Sequence, residues 1–174
     1  MNGLVEDAAG IRMWIARRSP TKSIDPDRLD NLVAGGIAAG QSVAAAVVKE
    51  AWEEAGIGAP LARTAMPAGA VHVCRAQRDG LQRETIFVHD LWLPAGFVPA
   101  GQDGEVAGHR LVPLSDVATL IANADGPDVV TADAALVMLD CLLRHGAIAP
   151  DAPDYVTLGA LRRPPDPFAP PTGA

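Results

Sequence analysis

The tightest constraint in this sequence is the run from Val43 to Ala55, which contains no proline or glycine and has a stop signal at each end. Ser42 precedes it, and a serine there can accept a hydrogen bond from a free N–H of a first helical turn. Gly56 follows it, and glycine suits the left-handed backbone that ends many helices. The spacing predicts one helix over 43–55. Glu50, Glu53 and Glu54 stand at i, i+3 and i+4, positions that share a helix face. Three like charges on one face repel. Solvent offsets that repulsion, and so does a bound cation. Hard divalent ions such as Mg2+ take carboxylate oxygens together with substrate phosphates and water. The other side carries Val43, Ala44, Val47, Val48 and Ala51, an apolar set expected to pack on a sheet. Lys49 lies four residues before Glu53, close enough to pair with it and orient its carboxylate.

The loop before this helix contains Gly35, Gly36 and Gly40, which permit backbone angles that other residues resist. A glycine-rich loop entering a helix can present N–H groups to an anion. Here the expectation is that it crosses the glutamate face and brings backbone carbonyls near the ion.

Around this centre, strands precede and follow the helix. Gly3 to Glu6 and Ile11 to Arg17 read as a hairpin through Asp7 to Gly10. A loop of turn formers covers Ser19 to Asp27. After the helix, a strand lies within Ala62 to Ala76, interrupted by Pro67 and Gly69, and Arg78-Asp79-Gly80 makes a turn. Thr85 to Leu93 is the clearest strand, and a short one runs from Gly108 to Val112. Ser115 is expected to cap a helix over 116–123 and Thr131 one over 132–145. A short helix is expected over 154–161. Strands, one helix, more strands, then helices: that order suggests a mixed sheet covered by helices on two faces, an α/β class. One domain over 1–162 is expected, followed by a proline-rich, disordered tail over 163–174.

The segment from Gly35 to Ile57, GGIAAGQSVAAAVVKEAWEEAGI, resembles the Nudix box: a glycine, five residues, a glutamate, seven residues, then Arg-Glu-apolar-x-Glu-Glu-x-Gly-apolar. Gly35 falls on the first glycine, and Lys49 to Ile57 on the second half. The resemblance implies an α/β/α sandwich, Mg2+ or Mn2+ held by Glu50, Glu53 and Glu54, and hydrolysis of a diphosphate linkage. Two positions depart from the pattern. Gln41 stands where glutamate is usual, removing a negative charge near the metal. Lys49 stands where arginine is usual, a point charge in place of a bidentate fork.

Further stretches are similar to one Nudix subgroup, found in plants, yeasts and bacteria and fused to thiamine pyrophosphokinase in some fungi. They are Arg17-Arg18-Ser19-x-Thr21-Lys22, Leu29-Asp30-Asn31-x-Val33-Ala34-Gly35-Gly36, Gly96-Phe97-Val98-Pro99, Gln102-Asp103-Gly104-Glu105-Val106 and Arg144-His145-Gly146. That resemblance implies a substrate among oxidised forms of thiamine diphosphate, cut to the monophosphate. Members usually carry an additional N-terminal region, and any substrate contact made by it is expected to be missing here.

The remaining site residues divide between functional and ordinary structural readings. Glu105 follows a glycine-rich loop, where the Nudix resemblance implies an extra carboxylate acting as a further metal ligand or as the base on water beside Glu53; the ordinary reading is a surface acid, and Asp103 is its weaker rival. Lys49 and Glu50 complete the catalytic set. Arg17, Arg18, Lys22, Asn31, Gly35 and Gly36 are the expected substrate contacts. Arg17 and Arg18 point to opposite faces of a strand, so at most one reaches the site directly. His72, His89, His109 and His145 show no ligand spacing and read as structural. Trp14, Trp52 and Trp92 read as packing, with a stacking role open for one of them near the mouth.

A net charge of −7 argues against nonspecific nucleic-acid binding. A carboxylate-held divalent ion nevertheless turns a negative site into one for phosphate. No apolar run reaches the ~20 residues a membrane span needs, and no signal peptide is recognisable at the start. Cys74 and Cys141 are far apart and read as reduced core thiols, which suits a cytoplasmic setting. A homodimer is the expectation from family habit. Two other functions fit the same box: hydrolysis of a nucleoside diphosphate derivative such as ADP-ribose, or a degenerate Nudix domain that binds without turnover, which Gln41 favours.

Overall fold

Strand β1 (Asn2–Asp7) turns back through Ala8 and Ala9 into β2 (Gly10–Arg18), with Gly3 opposite Trp14 and Asp7 opposite Gly10. This is the predicted hairpin. Its turn ends on Gly10, whose φ of 107° is one that side chains resist. The computed structural model describes residues 1–77 and 80–163.

The other elements are β3 (Leu29–Asn31), α1 (Val43–Ala55), α2 (Ala59–Ala62), β4 (Met66–Gln77), β5 (Gly80–Trp92), β6 (Val106–Pro113), α3 (Leu114–Ala122), α4 (Ala132–Arg144) and α5 (Tyr155–Leu161). The sheet is mixed, in the order β3-β2-β1-β5-β4, with β6 also paired to β2. β1 runs parallel to β5, and the other pairs are antiparallel.

One edge of β2 is taken by β6 over residues 12–18, so β1 and β3 must share the opposite edge, end to end. β5 pairs β1 only through Asp90, Leu91 and Trp92, and its earlier residues pair only with β4. The sheet is therefore split between β3 and the first part of β5, and the cleft described below occupies that split.

Alternation along the strands sends neighbouring side chains to opposite layers. Leu4, Met13, Ile15 and Leu29 pack with Val117 of α3 and Met138 and Leu142 of α4. Val5 and Leu91 pack on the other face with Ala51, Ala55 and Ile57 at the end of α1. Helices thus cover both faces of a mixed sheet, the α/β/α sandwich expected.

Several expectations need correction. Ala62 belongs to α2, not to a strand: Pro60 sits in its first turn after Gly58, a position where a missing N–H costs nothing. β4 begins at Met66, and its register shifts between Pro67 and Gly69, where proline cannot donate to the ladder. β5 starts five residues earlier than the Thr85 expected, at Gly80. Ser115 caps nothing, because α3 already begins at Leu114 behind Pro113; its hydroxyl instead donates to Asp116 Oδ1 at 3.0 Å. Thr131 does cap α4, accepting from the Ala134 N–H. Ala44 is exposed, and Cys74 is only half-buried. Part of the 78–80 turn and the tail beyond Arg163 lie outside the described residues.

Below α4, Asp90 is buried and fully engaged. Arg144 reaches both its oxygens at 2.5 and 3.0 Å, His145 Nε2 lies at 2.9 Å, and Asn2 donates at 2.9 Å. Burial works against the charge, but these partners hold the Asp90 carboxyl down at about 2. Arg144 also binds Asp140, as does Arg162.

Candidate active site

The end of α1 fixes the carboxylates. Ser42 accepts from the Ala45 N–H at the start, and at the other end Gly56 adopts φ 65°. The N–H of Ile57 reaches back to the Ala51 carbonyl at 2.9 Å, the reach of a Schellman stop. A β-carbon on Gly56 would also come within 2.7 Å of the Ala100 carbonyl, so both backbone angle and space require glycine. Ala100 and Gln102 then donate to the carbonyls of Ala55 and Glu53 at 3.1 and 2.6 Å. The loop from Pro94 to Glu105 is thereby tied to the last turn of α1.

The three glutamates separate. Glu50 and Glu53 line the cleft, whereas Glu54 turns inward and is only 6% exposed. Glu54 accepts from the Ala34 N–H at 2.7 Å. Burial pushes its carboxyl up to about 7; the Ala34 hydrogen bond and Lys22 pull the other way, and Asp30 and Glu50 add to the rise. Glu50 lies against Gly35: a β-carbon there would sit 2.3 Å from the Glu50 carboxyl carbon. Gly35 is thus needed for close approach rather than for a left-handed angle, which among the loop glycines only Gly40 adopts, at φ 82°. Lys49 bridges Glu50 at 2.9 Å and Glu53 at 2.6 Å, and these partners raise its pKa.

The opposite rim comes from the Asp103–Glu105 turn. Asp103 accepts from the Glu105 N–H at 2.9 Å, which turns the chain, and Glu105 pairs with Lys22. Ser19 donates its N–H to the Glu105 carbonyl at 2.8 Å, holding the turn to the end of β2. Asp103, Glu105 and Lys22 all line the cleft.

Arg18 and Arg17 part company. Arg18 lines the cleft but is engaged there by Asp30 at 2.8 Å and by the carbonyls of Ile24 and Asp25. It shapes the loop over 19–28. Arg17 is not among the cleft residues; it bonds Asp27, Pro127 and Asp128 on the other side. Asn31 is buried at the cleft floor, donating to Asn2 at 3.0 Å, and its backbone N–H meets Asp30. Gly36 lines the cleft with open space around it. Gln41 is outside the lining and accepts from the Ala38 N–H at 3.2 Å.

The cleft, ≈ 1210 Å³, also has walls that spacing gave no reason to connect with the glutamates. β5 contributes Thr85, Phe87 and His89, and α4 contributes Asp133 and Val137. In the far corner Arg75 donates to Gln82 at 2.6 Å. His89, read from sequence as structural only, is in the lining; burial lowers its pKa. None of Trp14, Trp52 or Trp92 lines the cleft. His109 lies behind α1, its ring against the Glu54 carbonyl, with its pKa lowered by burial.

Carboxylates from one helix, a loop acid opposite them and a sheet split between helical layers define the class: this chain belongs to the NUDIX domain family, whose model matches residues 3–133. It is 42% identical over 158 residues to Nudix hydrolase 24, chloroplastic, of Arabidopsis thaliana, covering 91% of this chain and 42% of that one. It is 31% identical over 173 residues to an uncharacterized protein of Saccharomyces cerevisiae, covering 91% of this chain and 49% of that one. The chain thus spans less than half the length of these relatives. Among solved structures, the fold resembles the protein DR0079 of Deinococcus radiodurans, with TM-score 0.59, 22% identity and 80% of each chain covered. It also resembles the NUDIX domain of Shewanella oneidensis NrtR, solved with ADP ribose, with TM-score 0.61, 12% identity and 83% and 84% covered.

Proposed function

We propose that this chain hydrolyses a diphosphate linkage in a small molecule, with Mg2+ or Mn2+ held by Glu50, Glu53 and Glu54. The observation that carries this reading is the buried Glu54. Its carboxylate has one short N–H donor among the described residues and is pushed up to about 7. A buried carboxylate left without a paired cation, next to two more that open on a cleft, is a donor set that fits a hard divalent ion.

When bound, such an ion neutralises the diphosphate and acidifies a water. The chain supplies the rest. Lys49 holds Glu50 and Glu53 in fixed orientation. Glu53 or Glu105 takes the proton as water oxygen bonds to phosphorus and the bridging P–O bond breaks. Lys22, seated on Glu105, and Arg18, seated on Asp30, bring positive charge to the cleft wall, which supports a phosphate-binding role for them.

For the substrate, the proposal is an oxidised thiamine diphosphate, cut to the monophosphate and phosphate. The subgroup stretches around Arg18, Asn31 and Glu105 support it. So does similarity to plant and yeast proteins, two of the groups in which that subgroup occurs. Phosphate release from a panel of diphosphates tests both levels. Release that needs Mg2+ and falls at least ~100-fold in Glu53→Gln is expected. Cleavage of ADP-ribose but not of oxidised thiamine diphosphate would overturn the substrate, and no release from any diphosphate would overturn the activity.

A further inference from the structure

We propose that Asn31 is a specificity residue on the cleft floor. Its side-chain oxygen, held towards the cleft by a relay that runs from Asp90 through Asn2, accepts a hydrogen bond from an N–H or O–H of the ligand. The inference rests on the diphosphatase reading only for the identity of the rest of that ligand.

The relay starts at a fixed charge. Arg144 donates to both Asp90 oxygens at 2.5 and 3.0 Å, and His145 Nε2 lies 2.9 Å from one of them. These partners keep Asp90 a carboxylate. A carboxylate accepts and never donates. Asn2 therefore meets Asp90 with its Nδ2, at 2.9 Å, and its own Oδ1 is turned away. Asn31 meets that Oδ1 with its Nδ2, at 3.0 Å. The two ends of an amide are told apart by such partners, and here each side chain sets the polarity of the next. Asn31 is left with its Oδ1 on the side away from Asn2.

That side is the cleft. Asn2 opens β1 beside Asp90 of β5, and Asn31 closes β3 beside Ile15 of β2. Alternation places Asn2 with Leu4, and Asn31 with Leu29, on the sheet face that α4 covers. Asn31 is only 4% exposed, yet it lines the cleft together with Thr131, Ala134 and Val137 from that layer. Among the described residues its Oδ1 has no partner in the chain, and it is not sealed from solvent. The Asn31 N–H is fixed as well, donating to Asp30 at 2.8 Å. A rigid, largely desolvated acceptor with one open side gains most from a donor that arrives with the ligand. It is neutral, so it selects for a donor without requiring a charge. Asn31 stands three residues before Ala34, whose N–H binds Glu54, a chain span of at most about 11 Å. A small molecule with its diphosphate at the glutamates can reach it.

The first test needs neither ligand nor turnover. In 1H–15N NMR of the native protein, the Asn31 NH2 is expected to exchange slowly with water, because it points at Asn2 inside the fold. Exchange at the rate of an exposed amide would overturn the relay. In Asn2→Leu that exchange should rise at least about tenfold. The second test compares diphosphates with counterparts in which one donor is replaced by hydrogen: the amino group of oxidised thiamine diphosphate, and the amino group or a ribose hydroxyl of ADP-ribose. In at least one pair kcat/KM should favour the donor about tenfold, the scale of one hydrogen bond. Asn31→Ala should abolish that preference, and Asn2→Leu should weaken it. Asn31→Asp offers an oxygen whichever way it is turned, so combined with Asn2→Leu it should restore the preference; a purely structural Asn31 gives no such rescue. Where no diphosphate is cut, the same pairs are compared by Kd with Mg2+ present. A preference that depends on Asn31 then sinks the diphosphatase reading alone. Preferences unmoved by Asn31→Ala, or no donor preference in any pair, would overturn the assignment.

Discussion

Glu54→Gln gives the sharpest check on the proposed metal site, because it separates a buried charge from the shape that carries it. Glutamine keeps an oxygen for the Ala34 N–H and nearly the same volume. What it loses is the titration. In the native chain the Glu54 carboxyl is pushed up to about 7 from an ordinary 4.5. Between those pH values the folded protein holds a proton that the unfolded chain has released. Stability from this group is therefore full below pH 4.5 and is lost as pH rises to 7. At about 1.4 kcal/mol per pH unit the loss is roughly 3 kcal/mol. Glutamine has no such loss, but it buries an NH2 where a carboxyl oxygen stood, and accommodating that donor beside Asp30 and Glu50 is expected to cost about 1–2 kcal/mol.

Without divalent metal, Glu54→Gln should thus be less stable than the native protein near pH 4.5 and slightly more stable at pH 8. At roughly 2–4 °C per kcal/mol for a chain of this size, the difference in Tm between the two proteins should swing by about 6–12 °C over that range. Added Mg2+ should reverse the order at pH 8. A cation beside Glu54 favours its ionised form and removes the loss in the native chain, while the variant has less to gain. Thermal unfolding of both proteins at several pH values, with EDTA and with Mg2+, reads all of this. Parallel Tm curves without metal would refute the buried-charge argument. An equal Mg2+ shift in both would remove Glu54 from the ligand set.

Two further substitutions follow from single contacts. Gly35→Ala places a β-carbon 2.3 Å from the Glu50 carboxyl carbon, so Glu50 must move; phosphate release should drop at least ~100-fold with Tm nearly unchanged, as a misplaced catalytic group costs rate before stability. Arg144→Ala leaves Asp90 and Asp140 buried with fewer partners; urea unfolding should show a loss of about 3–5 kcal/mol.

Much of this was legible because it is local. Helix α1 declared itself by Ser42, Gly56 and the absence of breakers between them, and the observed limits match. The β1–β2 hairpin followed from alternation. Ser115 shows where such rules lose force: a good cap residue was available, but Pro113 takes the cap position two residues earlier and the helix starts at Leu114. The length of β5 was hidden for another reason. Residues 80–84 pair only with β4 and are mostly exposed, so no buried face imposed alternation on them.

The site was half legible, and the division is physical. Spacing at i, i+3 and i+4 puts three carboxylates within one arc of a helix, but it cannot say what fills the space in front of that arc. Here the answer comes from residues 34 and 35, about one helix length earlier in sequence. The Ala34 N–H draws Glu54 inward, and the missing β-carbon of Gly35 lets Glu50 lie close over the loop. One helix face thereby becomes two environments, a buried carboxylate with a raised pKa and two open ones held by Lys49. The same applies across the cleft. Phe87 and His89 were visible as neighbours on one strand, yet only the fold brings them into the same cleft as Glu50 and Glu53. The carboxylate face was therefore readable from the helix, whereas what stands in front of it depends on contacts between segments that periodicity does not report.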